Sequence, residues 1–96
     1  MIQELSESEV TSALKTLNDW SLDEGKLFKL YRFPDFVKAF AFMTQVARLA
    51  EEQNHHPEWF NVYGTLRVHL TTHEVGGLSE RDFRLARCMD AQFGMA

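Results

Sequence analysis

The spacing of apolar residues along the chain alternates between a helical period and a strand period, and the helical stretches predict three helices. Apolar residues at i, i+3, i+4 and i+7 predict a first helix over residues 7–17, a long second helix from Asp35 to about Gln53, and a third that begins at Ser79. Ser6, Asp35 and Ser79 can each cap the free amides at a helix start. Apolar residues cover much of the circumference of the long helix, so we expect it to be the most buried of the three.

The segments between these helices have the two-residue period of strands and are interrupted by turn residues. A first hairpin is predicted over residues 20–33 with its turn at Glu24-Gly25, and a second over residues 59–72 with its turn at Gly64-Thr65. The resulting order, α-β-β-α-β-β-α, predicts an α+β fold. In this fold a four-stranded antiparallel sheet has three helices packed on one face.

The second strand of the first hairpin is apolar on both of its faces. Phe28 and Leu30 share one face, and Leu27, Tyr31 and Phe33 share the other. A bulge that rotates part of the strand, partial exposure of one aromatic ring, or cover by a second subunit would each account for this pattern. Together with the number of phenylalanines, the pattern favours symmetric assembly as a homodimer or homotetramer.

Length and composition describe an ordinary globular protein. A chain of 96 residues predicts one domain over residues 1–96. Apolar residues make up 45% and charged residues 25%, which excludes a disordered chain. The net charge of −4, with no cluster of Lys or Arg, argues against direct binding of nucleic acid.

The remaining compositional features predict a cytoplasmic location. The single cysteine, Cys88, excludes an intrachain disulfide and suits a reducing compartment. The first residues are acidic and lack the basic and then apolar order of a signal peptide. No apolar run approaches the roughly 20 residues of a membrane span, so no membrane association is expected.

The four histidines lie within one quarter of the chain and are the leading candidates for chemistry. They are His55, His56, His69 and His73. Imidazole is the usual agent of proton transfer near neutral pH. Glu51 precedes His55 by four residues, a spacing that on a helix lets the carboxylate orient the ring. His73 ends a strand, where catalytic groups are commonly held, whereas His69 is predicted to be a solvated strand position.

Other chemistries are weaker interpretations of the same residues. Three histidines with an open position can hold zinc, which stays the alternative to proton transfer. Adjacent histidines in an extended segment point in different directions, however, and no His-x-x-x-His or Cys pair supports a metal site. Cys88 lies inside the predicted last helix, so it is a poor nucleophile candidate. Gly76-Gly77 lacks the pattern and the following lysine of a phosphate-binding loop.

The chain closely resembles the pterin-4a-carbinolamine dehydratase family over nearly its whole length. The matching motifs are Glu51-x-x-x-His55-His56-Pro57, Trp59-Phe60-Asn61-Val62-Tyr63, Thr72-His73-Glu74 and Gly77-Leu78-Ser79-Glu80-Arg81-Asp82. The resemblance implies four antiparallel strands with three helices on one face. It also implies dehydration of 4a-hydroxytetrahydropterin to quinonoid dihydropterin without a metal or organic cofactor. That reaction follows aromatic amino-acid hydroxylation in tetrahydrobiopterin recycling.

The resemblance also assigns site residues. The family's catalytic histidines fall on His55, His56 and His73, and its pterin-contacting segments fall on His55-His56-Pro57 and Thr72-His73-Glu74-Val75. Val75 departs from members that carry cysteine there, and His69 matches no family histidine. Our hypothesis is that His55 and His73 form the acid–base pair, while Glu51 tunes His55 and His56 positions the pterin.

Two other functions stay open at this point. Some animal members of the family also serve as dimerisation cofactors of a homeodomain transcription factor, so one alternative is a protein-interaction role. The other is a dehydratase-like pterin-binding protein in a molybdopterin-related pathway, because a fold does not fix its substrate. Turnover of the carbinolamine would favour the dehydratase.

Overall fold

The chain folds into three α-helices and one four-stranded antiparallel sheet. The computed structural model describes residues 1–95. The predicted α+β order is confirmed, and a short 3₁₀ turn follows the last strand. The elements are α1 (Glu7–Leu14), β1 (Ser21–Asp23), β2 (Lys26–Arg32), α2 (Phe36–Gln53), β3 (Glu58–Val62), β4 (Thr65–Leu70), the 3₁₀ turn (His73–Val75) and α3 (Glu80–Gly94).

The sheet presents one of its faces to all three helices. Its strand order is β1-β2-β4-β3, so β2 and β4 are central. Their register pairs Leu27 with Leu70 and Tyr31 with Leu66, and all four side chains are fully buried. The helical side chains that complete this core are Val10, Phe42, Val46, Phe83, Leu85, Ala86 and Met89. The helices therefore pack on one face, as predicted, because alternate strand positions point to the same side.

The long helix α2 is not the most buried of the three helices, so the sequence-based prediction is wrong: four of its 18 residues are buried, whereas five of the 15 residues of α3 are. Ala39, Phe42, Val46 and Ala50 face the core, whereas Phe36 and Phe40 are 47% and 54% exposed. Only one stripe of a helix can contact the sheet, however many apolar positions the helix carries. The apolar residues outside that stripe form an uncovered surface on the single chain.

The first helix is also shorter than predicted. It ends at Leu14 rather than residue 17, and the following residues form a turn in which the amide of Leu17 donates to the Leu14 carbonyl at 3.1 Å. Asp19 then adopts a left-handed conformation with φ 64°. This turn places the next residue, Trp20, in the core.

A partly buried polar cluster joins the first hairpin to α3. The Asp90 carboxylate accepts hydrogen bonds from Trp20 Nε1 at 2.9 Å, Lys29 Nζ at 2.8 Å and Tyr31 Oη at 2.6 Å. Burial, reinforced by the hydrogen bond and charge of Asp90, raises the pKa of Tyr31 far above its usual 10.0. Lys29 is buried on the core face of β2, so this strand is less purely apolar than its pattern indicates.

Within residues 1–95 no helix is both long enough and apolar enough to cross a bilayer.

Candidate active site

A Schellman motif at the end of α2 sets the position of the paired histidines. Asn54 adopts the left-handed conformation, with φ 49° and ψ 44°. The amide of Asn54 donates to the Glu51 carbonyl at 3.2 Å, and the amide of His55 donates to the Ala50 carbonyl at 3.0 Å. Pro57 follows and cannot continue a helix. The chain therefore leaves the helix before His55, and the helical spacing assumed for Glu51 and His55 does not form.

His55 is buried and bonded to a carboxylate from another part of the chain. Its ring is 7% exposed, and its Nε2 lies 2.6 Å from Oδ1 of the fully buried Asp82. The second oxygen of Asp82 accepts hydrogen bonds from Thr72 Oγ1 at 2.8 Å and from the Ser79 amide at 2.9 Å. Because a carboxylate only accepts hydrogen bonds, His55 Nε2 must carry the proton. The other ring nitrogen, Nδ1, is then an acceptor in the neutral ring.

The cap of α3 holds Asp82 in place. Ser79 is the N-cap, as predicted, its hydroxyl accepts from the Arg81 amide at 3.3 Å, and Asp82 closes a capping box. A capping box uses one carboxylate oxygen, so the other oxygen is free to meet His55. A negative charge in the first turn is also favoured by the helix dipole.

Glu51 contacts His56 and not His55, which corrects the sequence-based hypothesis. The Glu51 carboxylate lies 2.5 Å from Nε2 of His56, and both side chains are exposed. The left-handed residue Asn54 turns the chain, so that His55 points into the protein and His56 points back along the helix end. Any effect of Glu51 on the site is therefore exerted first on His56.

His73 stands at the start of the 3₁₀ turn and is 81% exposed. Its Nε2 lies 3.3 Å from Oε2 of Glu58, the first residue of β3. The other Glu58 oxygen accepts a hydrogen bond from Lys26 Nζ at 2.7 Å. This hydrogen bond is the main cause that holds the pKa of Glu58 below its usual 4.5, and His73 adds to it. Glu58 is therefore ionised at neutral pH.

The loop that carries His73 is closed on itself. The Thr72 amide donates to the Gly77 carbonyl at 2.9 Å, and the Val75 amide donates to the Thr72 carbonyl at 3.1 Å. Gly76 has φ 68°, a left-handed conformation that favours glycine. Glu74 is exposed, and its carboxylate lies 3.8 Å from Arg81. The loop thus has a fixed path from β4 to the cap of α3.

These contacts bring two of the predicted segments together. Asp82 bonds both His55, from the turn after α2, and Thr72, the residue before His73. His69 lies instead on the helix-free face of the sheet, where Nε2 is 2.8 Å from Asp23 Oδ2. Within residues 1–95 no three His, Cys, Asp or Glu side chains are arranged to hold a metal ion.

Comparison with known protein families agrees with the motifs. A family model described as pterin 4 alpha carbinolamine dehydratase matches residues 3–92 of the chain. The chain belongs to this family.

Individual members resemble the chain over almost its full length. A provisionally named pterin-4-alpha-carbinolamine dehydratase of Solibacter usitatus is 53% identical over 91 residues, which are 95% of this chain and 96% of the relative. A protein of the same provisional name from Nitrobacter hamburgensis is 48% identical and is covered completely, as is this chain. A crystal structure of a transcriptional coactivator/pterin dehydratase from Brucella melitensis has a TM-score of 0.89 and 43% identity, covering 93% of this chain and 97% of that one.

In this member of the carbinolamine dehydratase family, three side chains next to the candidate histidines were not predicted as site residues. They are Asp82 beside His55, Glu58 beside His73, and Lys26 beside Glu58. Asp82 had a signal in the sequence, because the capping-box aspartate has a second oxygen that local bonding does not use. For Glu58 and Lys26 the sequence held no comparable signal, since Lys26 contacts Glu58 only through the pairing of strands, and Glu58 in turn contacts His73.

Proposed function

We propose that the protein dehydrates 4a-hydroxytetrahydropterin to quinonoid dihydropterin and water, with His55 and His73 as the acid–base pair. The observation that carries this proposal is the buried His55–Asp82 pair, which Thr72 connects to the residue preceding His73. A buried imidazole bonded to a carboxylate is a frequent device for fixing a catalytic tautomer. The membership of the chain in the dehydratase family supports the choice of substrate.

His55 is suited to the role of base. Its Nε2–H is donated to Asp82, so the lone pair on Nδ1 is free to accept a proton. No buried side-chain nitrogen or oxygen within residues 1–95 lacks a hydrogen-bond partner. Among these residues Nδ1 of His55 has no hydrogen-bond partner, so it must reach the solvent, where a substrate can contact it. We assign to it the removal of the proton from a pterin ring nitrogen.

His73 is suited to the role of acid. Its ring is exposed at the start of the 3₁₀ turn and faces the ionised carboxylate of Glu58. A proton from His73 on the departing 4a-hydroxyl releases water as the ring nitrogen loses its own proton to His55. The carbinolamine thus loses one water, and exchange with solvent returns both imidazoles to their starting states. Each transfer contributes roughly 10²–10⁴-fold to the rate.

The neighbouring residues are proposed to bind the pterin rather than to react. His56, held by Glu51, and Pro57 follow the helix end, and the segment Thr72 to Val75 forms the opposite loop. The Val75 amide already donates to Thr72, so a contact of Val75 with the pterin uses its carbonyl or side chain. We place the reaction in tetrahydrobiopterin recycling and in the cytoplasm, on the family resemblance and the single cysteine.

Replacement of single histidines tests this function in a carbinolamine dehydration assay. We expect His55→Ala and His73→Ala each to lower kcat by about 10²–10⁴-fold. His69→Ala is the matched control, because His69 is also paired with a carboxylate, that of Asp23, but is not part of the proposed acid–base pair, and it should keep near wild-type turnover. Near wild-type turnover by either of the first two variants would show that the assignment is wrong. A wild-type protein that does not turn over the carbinolamine would overturn the function itself.

We further propose that the chain assembles with copies of itself, as a homodimer or homotetramer. The support is the uncovered apolar surface of α2, where Phe36, Val37 and Phe40 are exposed. The Brucella melitensis relative is named a transcriptional coactivator as well as a pterin dehydratase, so a second protein is the alternative occupant of this surface. The mass of the purified protein in solution separates the two.

A further inference from the structure

The carboxylate of Glu58 contacts a lysine and a histidine from different elements. Its Oε1 accepts a hydrogen bond from Lys26 on β2 at 2.7 Å, and its Oε2 lies 3.3 Å from Nε2 of His73 on the 3₁₀ turn. The two oxygens thus serve different partners. Glu58 is anchored at the start of β3, and its backbone position opposite His69 is fixed by the sheet.

We propose that Glu58 is a positioning residue for His73, and that Lys26 holds Glu58 in the orientation this requires. The inference rests on the proposed role of His73 as the acid. Among the contacts made by residues 1–95, Glu58 is the one charged partner of His73, whose ring is otherwise exposed to solvent. Without a partner an exposed imidazole samples several rotamers, and only some of these direct its proton towards the substrate.

Lys26 makes the contact between Glu58 and His73 less costly in entropy. An isolated surface ion pair is weak because two mobile side chains must be ordered for one contact. Here the hydrogen bond from Lys26 already restricts the Glu58 carboxylate, so ordering His73 against it requires less additional loss of freedom. Contacts of this kind also shorten when a substrate displaces water, so the 3.3 Å separation is compatible with a hydrogen bond in the complex.

Glu58 acts through His73 and does not donate a proton itself. The Lys26 ammonium holds the pKa of Glu58 below its usual 4.5, so the carboxylate stays ionised at neutral pH and can only accept hydrogen bonds. The other charged or titratable groups that line this surface are Arg67 and His69 of β4, Asp23 of β1 and Glu24 of the hairpin turn, and Asp23 is paired with His69.

The test combines Glu58→Gln, which is isosteric, with His73→Ala in the dehydration assay. We expect Glu58→Gln to lower kcat about 10-fold with little change in KM, because the contact orients an acid and does not bind the substrate. We expect Lys26→Met to lower kcat by a smaller factor. Asp23→Asn is the matched control, since it removes the carboxylate of the other histidine pair on this face, and it should leave kcat unchanged.

A double-mutant cycle distinguishes positioning from a structural role. If Glu58 acts through His73, Glu58→Gln causes no further loss of kcat in the His73→Ala background. A structural role would lower kcat equally in both backgrounds, and that result, or full activity of Glu58→Gln, would overturn the inference. Failure of the proposed role of His73 looks different, because His73→Ala itself would then keep wild-type turnover. Failure of the proposed function looks different again, because the wild-type protein would then not turn over the carbinolamine. An unchanged melting temperature of Glu58→Gln shows that the variant is folded.

Discussion

Replacing Asp82 by Asn should separate the chemical role of this residue from its structural role. Two of the three hydrogen bonds to the carboxylate end on Oδ2, from Thr72 and from the Ser79 amide. The Asn carbonyl must occupy this position, because both partners donate there. The Asn amino group then occupies the position of Oδ1 and donates towards Nε2 of His55. The His55 ring keeps a hydrogen bond but must place its own proton on Nδ1.

The expected loss of stability follows from the change in charge. Hydrogen bonds to a charged group contribute about 1.5–3 kcal/mol and neutral ones about 0.5–1.5 kcal/mol, so each bond loses about 1–1.5 kcal/mol and the three together lose about 3–4.5 kcal/mol. For a domain of this size that corresponds to a melting temperature lower by about 12–36 °C. A domain that starts with about 5–15 kcal/mol remains mostly folded at 25 °C. Unfolding therefore does not account for lost activity at that temperature.

The expected loss of activity follows from the tautomer. With the proton on Nδ1, His55 can no longer accept a proton from the pterin ring at that atom. The loss of a general base lowers kcat by about 10²–10⁴-fold, or about 3–5 kcal/mol in the activation free energy. Wild-type and Asp82→Asn proteins should be compared by dehydration kinetics and by urea denaturation. Nitrogen-detected NMR of the imidazoles reports the tautomer directly.

Three outcomes would refute this reasoning. The first is a wild-type His55 that carries its proton on Nδ1. The second is an Asp82→Asn protein that has the inverted tautomer and an unchanged kcat. The third is an Asp82→Asn protein in which the tautomer is unchanged. Asp23→Asn is the control, because Asp23 also pairs with a histidine, at 2.8 Å, and that histidine is His69 rather than His55.

Three further predictions concern binding, alkaline stability and assembly. Glu51→Gln should raise KM about 2- to 5-fold with kcat nearly unchanged, because the exposed ion pair with His56 contributes under about 1 kcal/mol. Steady-state kinetics that show a fall in kcat alone would instead indicate that Glu51 takes part in the chemical step. Since folding raises the pKa of Tyr31, its contribution to the free energy of unfolding is fully present below pH 10.0 and is lost as the pH rises above it. In the Tyr63→Phe variant, the phenolate absorbance of Tyr31 should therefore appear only on unfolding. Its appearance in the folded variant near pH 10.0 would contradict this. Phe40→Glu should reduce the mass measured by light scattering to that of a monomer with helicity unchanged, whereas equal masses for variant and wild type would exclude this surface from self-association.

The parts of the fold that the sequence predicts are those fixed by local rules. The capping boxes at Ser6 and Ser79 each involve residues three apart, so their residue types alone indicate where helices begin. The two hairpins are likewise indicated by a strand period and a turn such as Glu24-Gly25. The order of helices and strands follows from these signals, and it is confirmed.

The contacts that define the proposed site depend on tertiary packing, which local sequence rules do not predict. His55 and Asp82 are 27 residues apart in the chain and meet only because α2 and α3 end and begin on the same side of the core. The prediction that Glu51 serves His55 assumed a continuous helix, and one left-handed residue, Asn54, was enough to change the partner. Burial of α2 was overestimated for a related reason, because apolar periodicity does not say which apolar positions face the sheet.

In the proposed site, Asp82 in the first turn of α3 connects the segment that carries His55 to the segment that carries His73. Its carboxylate caps that helix, fixes the tautomer of His55 and fixes Thr72, whose next residue is His73. The proposed acid and base therefore acquire their relative positions when α3 docks on the sheet, and not when either hairpin forms. A carboxylate that also caps a helix is held by the helix backbone, so it moves less than a surface side chain does. The position of the His55 ring is therefore closely fixed. The ring of His73 is exposed on its turn, so in our proposal its position depends on Glu58 and on the substrate itself.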